Sequence, residues 1–292
     1  MTSLLTGSES PVETPDEPIA VTACLAREFA AVFCEKRSEL SEGCWWYHSV
    51  WQCLRILDMV SSPAWHSGFY LRTLGDAAVS GDECRILISG AADYSMLAYA
   101  AHAFRRASKM PEITVLDLCE TPLSLCQWYA EYIGLSISTV VSDILEYKPS
   151  AKFDLIVADA FLTRFSTDDH SRVLEKWAQL LRQGGRVVTT ARIEAGLSGG
   201  AVRATSAEAS DFGRKALQRA RMINVPLGLS PKEMETEACK YAEKMISYPI
   251  LSEEQLVQLV SCAGFCLEEL SLVTARGEIK GTTYAEFVAL LS

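Results

Sequence analysis

Short apolar runs alternate with helix-length amphipathic segments through the middle of the chain. Runs at 85–89 (RILIS), 113–116 (ITVL), 140–142, 153–158 (FDLIVA) and 186–190 read as strands. The segments between them, at 94–108, 122–133 and 168–181, carry apolar residues at helical spacing. Such alternation predicts βαβ units and a parallel sheet, because parallel strands are covered on both faces and read as near-continuous apolar runs. Ahead of the sheet, the patterning predicts helices at 19–37, 44–60 and 64–74, the second presenting Trp46, Val50, Cys53, Leu54, Leu57 and Val60 on its apolar face. Thr121 and Pro122 are read as the N-cap and first position of the 122–133 helix. After the fifth strand the alternation stops: a loop at 196–200 leads to helices at 206–222 and 230–245. Regular order returns with a helix at 253–263 and strands at 265–273 and 284–291.

These elements divide the chain into a mobile Pro-, Ser- and acid-rich tail (1–17), a helical cap (18–80) and a sheet domain (81–292) whose insertion at 195–250 forms a lid. A chain of 292 residues has ample apolar content for such a core. The net charge of -10, with no basic stripe, excludes the electrostatic footprint of a nucleic-acid binder and favours a small-molecule substrate. The ten cysteines form no CxxC pair and no His/Cys spacing of a zinc site, and no clustered His and carboxylate ligands are apparent, so no metal is expected. With neither a signal peptide nor an apolar run of about 20 residues, the expectation is a cytoplasmic protein that avoids membranes, with a homodimer left open.

Polar and glycine residues stand at the strand ends: Gly90-Ala91-Ala92-Asp93 after the first, Asp117 after the second, Asp143 after the third and Gly184-Gly185 before the fifth. Ligands of open α/β sheets bind there. From Cys84 onward this ordered set resembles the class I S-adenosylmethionine-dependent methyltransferase superfamily. The resemblance implies a Rossmann-like seven-stranded, mostly parallel sheet with helices on both faces, its last strand antiparallel and beside the sixth. It also implies S-adenosylmethionine as cofactor. Gly90, Ala91 and Ala92 would let the backbone approach the ligand, and Asp117, with Leu118 beside it, would accept from the ribose hydroxyls. Asp143 and the Ile144 backbone would read the adenine. The chain departs from the family pattern at Ile88, where an acidic residue is usual, and at Ala92 and Tyr94, where glycines are usual. Asp93 is placed to take over contact with the ligand's ammonium group.

Methyl transfer mostly needs positioning, proton removal and exclusion of water. The densest candidate segment is Cys44-Trp45-Trp46-Tyr47-His48 with Trp51. On a continuous helix His48, Gln52 and Arg55 share one stripe, flanked by Tyr47 and Trp51. Tyr47, Trp51, Arg55 and Phe161 are thus expected to wall the acceptor pocket, and His48 is a candidate general base, with His66 second. Plain packing is the competing reading, favoured for Trp45 and Trp46. Asp159, ending the fourth strand, is expected to orient or deprotonate the acceptor. Arg192 is read as a partner for either a substrate carboxylate or an internal acid. Tyr241, Met245 and Tyr248 are weighed as lid residues but read as packing, and Cys119 as a buried structural thiol. The leading expectation is methylation of a small-molecule amine or hydroxyl in specialised metabolism. The alternatives are a different use of the same cofactor, a nicotinamide oxidoreductase, and a non-catalytic nucleoside-binding protein.

Overall fold

Leu87 packs with Ile156 and Ala158 toward one side of a sheet, while Ile86, Ile88, Leu155 and Val157 pack toward the other. Strands β1 (Arg85–Ser89) and β4 (Phe153–Ala158) are therefore central and buried on both faces, as their unbroken apolar runs require. The computed structural model describes residues 13–34, 43–80, 84–195, 200–275 and 282–292. With β2 (Glu112–Asp117), β3 (Ile137–Val141), β5 (Leu181–Ile193), β8 (Phe265–Ala275) and β9 (Thr282–Leu291), these strands form a seven-stranded sheet in the order β3-β2-β1-β4-β5-β9-β8. The first five strands run parallel, and β9 lies antiparallel between β5 and β8.

Helices α4 (Ser67–Ser80), α5 (Ser95–Arg106) and α6 (Glu120–Ile133) share one core with β1 and β2. On the other face, α7 (Asp169–Leu180) and α10 (Glu253–Cys262) pack with β4, β5 and β9. Fully buried Trp177 of α7 donates its indole N–H to Ser89 Oγ (3.0 Å), which fastens the end of β1. Burying a side chain of that size contributes more than the roughly 1.5–3 kcal/mol of a buried aliphatic one.

Four local expectations change. The segment 44–60 is not one helix: α2 (Trp45–His48) and α3 (Trp51–Ile56) are separated at Ser49 and Val50. A carbonyl at the break is satisfied from outside, by Arg27 Nη1 donating to Ser49 O at 3.3 Å. The third helix begins as a 3-10 turn, Pro63–His66, and continues as α4 to Ser80. The cap of α6 is Cys119, whose sulfur accepts from Thr121 N, in place of Thr121 itself. Gly184-Gly185 forms a bulge inside β5 instead of a turn before it, because Gly184 adopts φ +74° and pairing with β4 slips between Phe153 and Leu155.

Asp16 and Glu17, in the segment expected to be mobile, are anchored: Tyr129 Oη donates to the Asp16 carbonyl (2.8 Å), and Glu17 pairs with Arg55. Residues 1–12, like most of the 196–200 loop, lie outside the described residues. The insertion folds as α8 (Ser206–Met222) and α9 (Pro231–Lys244), each begun by a complete capping box, with a small β6–β7 ladder (Val202–Arg203 and Ile246–Ser247). Its Phe212, Ala216, Met234 and Tyr241 share one apolar cluster with Val50, Leu54 and Leu57 of the N-terminal cap. Cap and insertion are thus a single roof. No described helix is long and apolar enough to cross a membrane.

Candidate functional site

The ends of β1, β2 and β3 converge on one cavity of 580 Å³, lined among others by Gly90, Ala91, Ala92, Asp93, Asp117, Leu118, Asp143 and Ile144. Gly90 sits at φ +78°, and a Cβ there would lie 2.3 Å from the ring of Phe161. Only glycine permits this turn and this approach together. Asp117 ties two loops, accepting from Ala91 N through Oδ2 (3.0 Å) and from Cys119 N through Oδ1 (2.8 Å). Burial holds its carboxyl above the usual carboxylate range, against the opposing pull of His48 and the two N–H donors. Each oxygen keeps a second lone pair for a ligand hydroxyl. Asp143 accepts from Leu145 N through Oδ1 (2.9 Å), which sets the turn that presents Ile144.

Asp93 lines the cavity with both oxygens already engaged: Oδ1 accepts from Ser95 N (2.9 Å), and Oδ2 from Arg55 Nη1 (2.7 Å) and Gln52 Nε2 (3.4 Å). Arg55 therefore does not wall the acceptor pocket as expected. Its guanidinium is buried between Asp93 and Glu17, because the break between α2 and α3 turns Gln52 and Arg55 away from the face that carries His48. Tyr94, where the resemblance implies a glycine, does not obstruct the cradle. It is fully buried, stacks on Tyr129 at 4.6 Å and hydrogen-bonds to Thr22 Oγ1 (3.1 Å).

The cavity is also walled by aromatic rings. Tyr47 stacks on Trp51 (5.0 Å) and on Tyr241 (5.8 Å), Phe212 stacks on Tyr241, and Arg164 lies over the Tyr47 ring. Burial pushes the Tyr47 phenol up, so it stays protonated. Trp46, Trp65, Met245 and Tyr284 also line the cavity, whereas Tyr248 does not. Phe161 stacks on Trp177 and lines the cavity beside Gly90. Arg192 donates to Glu194 Oε2 (2.6 Å) and Ser247 Oγ (3.2 Å), so its internal partner is Glu194.

Asp159 reaches the same cavity from the end of β4. Its Oδ1 accepts from Thr190 Oγ1 (2.8 Å) and Tyr70 Oη (2.9 Å), the latter shared with the Ala158 carbonyl. Thr190 in turn accepts from Ala160 N (3.0 Å), and Ala160 is held at φ +49°, a left-handed conformation that costs a residue with a side chain roughly 1 kcal/mol or more. Among the described residues Oδ2 accepts no hydrogen bond, which leaves an oriented carboxylate with one free oxygen.

The two candidate histidines are engaged with other groups. His48 touches the cavity, but its Nδ1 faces Cys34 Sγ at 3.5 Å within a group formed with Cys44 and Cys119. His66 is buried, with Nδ1 on Glu286 Oε1 at 2.8 Å. Tyr70, Thr190 and the meeting of Cys119 with Cys34 were not among the expected site features, and each joins positions far apart in the chain.

Residues 96–185 match a family model described as a methyltransferase domain. No curated protein matches the chain by sequence. Among solved structures, the chain is similar to Burkholderia thailandensis 1,6-didemethyltoxoflavin-N1-methyltransferase with bound 1,6-didemethyltoxoflavin and S-adenosylhomocysteine: TM-score 0.52 and 16% identity, covering 97% of this chain and 94% of that one. Magnesium protoporphyrin IX methyltransferase from Synechocystis PCC 6803 with bound S-adenosylhomocysteine gives 0.51 and 10%, covering 85% and 96%. The [4+2]-cyclase SpnF gives 0.50 and 14%, covering 75% and 78%. At these identities the likeness is one of fold, and the cyclase shows that this fold hosts other reactions.

Proposed function

We propose that this chain, whose residues 96–185 match a methyltransferase-domain model, is an S-adenosylmethionine-dependent enzyme that methylates a nitrogen or oxygen of a small, planar aromatic metabolite. The observation that carries the reading is the placing of Asp159 Oδ2, free and oriented, in one cavity with both the Gly90–Asp117–Asp143 cradle and a stacked aromatic wall.

The residues fit the adenosyl group. Gly90 leaves room that a Cβ would take, Asp117 offers acceptors suited to paired hydroxyls, and Ile144 with Leu118 supplies apolar flanks for a purine. Bound there, S-adenosylmethionine would supply an electrophilic methyl group, with its sulfur as the leaving group. Tyr47, Trp51 and Tyr241 form an apolar aromatic wall against the acceptor ring and exclude water. As the acceptor lone pair forms the new bond to carbon, Asp159 Oδ2 takes the proton that the nitrogen or oxygen gives up. Tyr70 and Thr190 fix that carboxylate, so little of its motion must be frozen at the moment of reaction. Such an acceptor is of the kind made in specialised metabolism.

S-adenosylhomocysteine is expected to bind in calorimetry, and labelled methyl donor to pass its label to an aromatic amine or phenol. Asp159→Asn is expected to lower kcat by about 100-fold or more, within the range for loss of a positioned acid or base, with the dissociation constant of S-adenosylhomocysteine nearly unchanged. Conversion of acceptor without transfer of label would overturn the proposal in favour of another use of the fold.

A further inference from the structure

Four side chains that the proposed reaction does not use point at one spot. Cys34 caps the C-terminus of α1 (Ile19–Phe33), Cys44 caps the N-terminus of α2, His48 ends α2, and Cys119 caps the N-terminus of α6. Their ligating atoms all lie within 4.8 Å of one another. The sulfurs of Cys34 and Cys119 are 3.8 Å apart, those of Cys44 and Cys119 3.5 Å, and Cys34 Sγ is 3.5 Å from His48 Nδ1.

Tetrahedral geometry demands just such edges. With metal–sulfur bonds of about 2.3 Å, two sulfurs sit about 3.8 Å apart, and a nitrogen bonded at about 2.1 Å sits about 3.6 Å from each sulfur. Simple packing would set the thiols against carbon. Here three thiols and an imidazole, brought from positions up to 85 residues apart, turn their polar heads toward each other, all of them buried except half-buried Cys44.

We propose that Cys34, Cys44, His48 and Cys119 bind one zinc ion as a closed structural site that pins the cap to the end of β2. Three sulfurs and one nitrogen select a thiophilic, tetrahedral divalent ion, and four protein ligands leave no open position for chemistry. The surroundings suit thiolates: Thr121 Oγ1 lies 3.3 Å from Cys34 Sγ, Thr121 N donates to Cys119 Sγ at 3.5 Å, and the positive end of α6 faces Cys119. Uptake of the ion releases the thiol protons. The spacing Cys34-x9-Cys44-x3-His48 keeps three ligands local, while Cys119 comes from the sheet domain.

The position has a consequence for the cavity. Cys44, His48 and Cys119 all line it, and Cys119 N–H is the donor that orients Asp117 Oδ1. The ion would hold the roof and the nucleoside-side carboxylate in one frame, and this last point alone rests on the methyltransferase reading.

Metal content and the cobalt(II) spectrum test the site without any assay of activity. Full-length protein purified under reducing conditions without chelator is expected to carry about one zinc per chain by plasma mass spectrometry. Replacement by cobalt(II) is expected to give the intense visible bands of a tetrahedral thiolate site. Cys34→Ser and Cys119→Ser should lower the zinc content at least about tenfold, since each removes a ligand, while Cys262→Ser and Cys266→Ser, at exposed thiols, retain it. His48→Cys should keep the metal with a spectrum shifted toward four sulfurs. Reduced wild-type protein with native circular dichroism that carries no zinc and takes up no cobalt would overturn the proposal, whether or not S-adenosylhomocysteine binds. A disulfide joining any two of the three cysteines in protein prepared without air would overturn it equally. If the serine variants fail to fold, the wild-type measurements still decide.

Discussion

Asp117→Asn is expected to weaken S-adenosylhomocysteine binding by about tenfold or more, although the two side chains are nearly isosteric. Asp117 accepts backbone N–H groups on both oxygens, from Ala91 and from Cys119. Asparagine can match only one; its amide nitrogen would set a donor against a donor. A buried donor left unpaired costs about 1–3 kcal/mol, and a hydrogen bond to a charged group contributes about 1.5–3 kcal/mol. The unpaired donor is present in free and bound protein alike and so costs stability, whereas the lost hydrogen bond to a charged group costs affinity, and each 1.4 kcal/mol is a factor of about ten. The same logic fixes the sign of the pH dependence. Burial raises the folded-state pKa of Asp117, so acidification protonates this acceptor earlier than an ordinary carboxylate, and nucleoside affinity is expected to fall as pH drops through that raised value. Calorimetry over a pH series measures both effects. Binding by the asparagine variant within about threefold of wild type would remove Asp117 from the ribose role, since even one lost charged hydrogen bond exceeds that margin.

The sheet was readable because its determinants are local. β1 and β4 are short apolar runs, and the glycine or acid after each strand marks the end where ligands collect. Gly90, Asp117, Asp143 and Asp159 line one cavity. The cap was read less well, and for a definite reason. Tyr47-His48-Ser49-Val50-Trp51 holds no glycine or proline, so its periodicity predicts one helix, yet the chain breaks where His48 turns to Cys34 and Arg27 reaches the Ser49 carbonyl. Both are tertiary contacts, which override a weak local preference. That one break sends His48 to the thiols and Arg55 to Asp93. Tyr70, whose hydroxyl orients Asp159 from 89 positions away, and Cys119, which faces Cys34 and Cys44, carry no spacing that a linear reading can detect.

Arg55→Met is expected to destabilise the protein by about 3–5 kcal/mol, the cost of stranding the partners of a buried ion pair. The Arg55 side chain is 6% exposed, and it bridges Asp93, 3% exposed, and Glu17, 14% exposed, at 2.7 and 2.9 Å. Asp93 and Glu17 hold the guanidinium above its already high pKa despite the burial that opposes its charge, so Arg55 stays charged at any working pH. Methionine fills much of the volume and removes the charge, which leaves two carboxylates facing each other with little water. If that stranded charge is the cause, adding Asp93→Asn to Arg55→Met removes one of the two and recovers part of the loss, a coupling that urea denaturation of the single and double variants measures. At roughly 2–4 °C per kcal/mol for chains of about this size, the single variant should melt about 6–20 °C below wild type. A substrate-binding Arg55 would behave otherwise, raising KM with the melting temperature unchanged. A loss of stability below about 1 kcal/mol, the usual value of an exposed pair, would show that the bridge between tail, cap and first loop does not hold the site together, and would return Arg55 to the acceptor pocket.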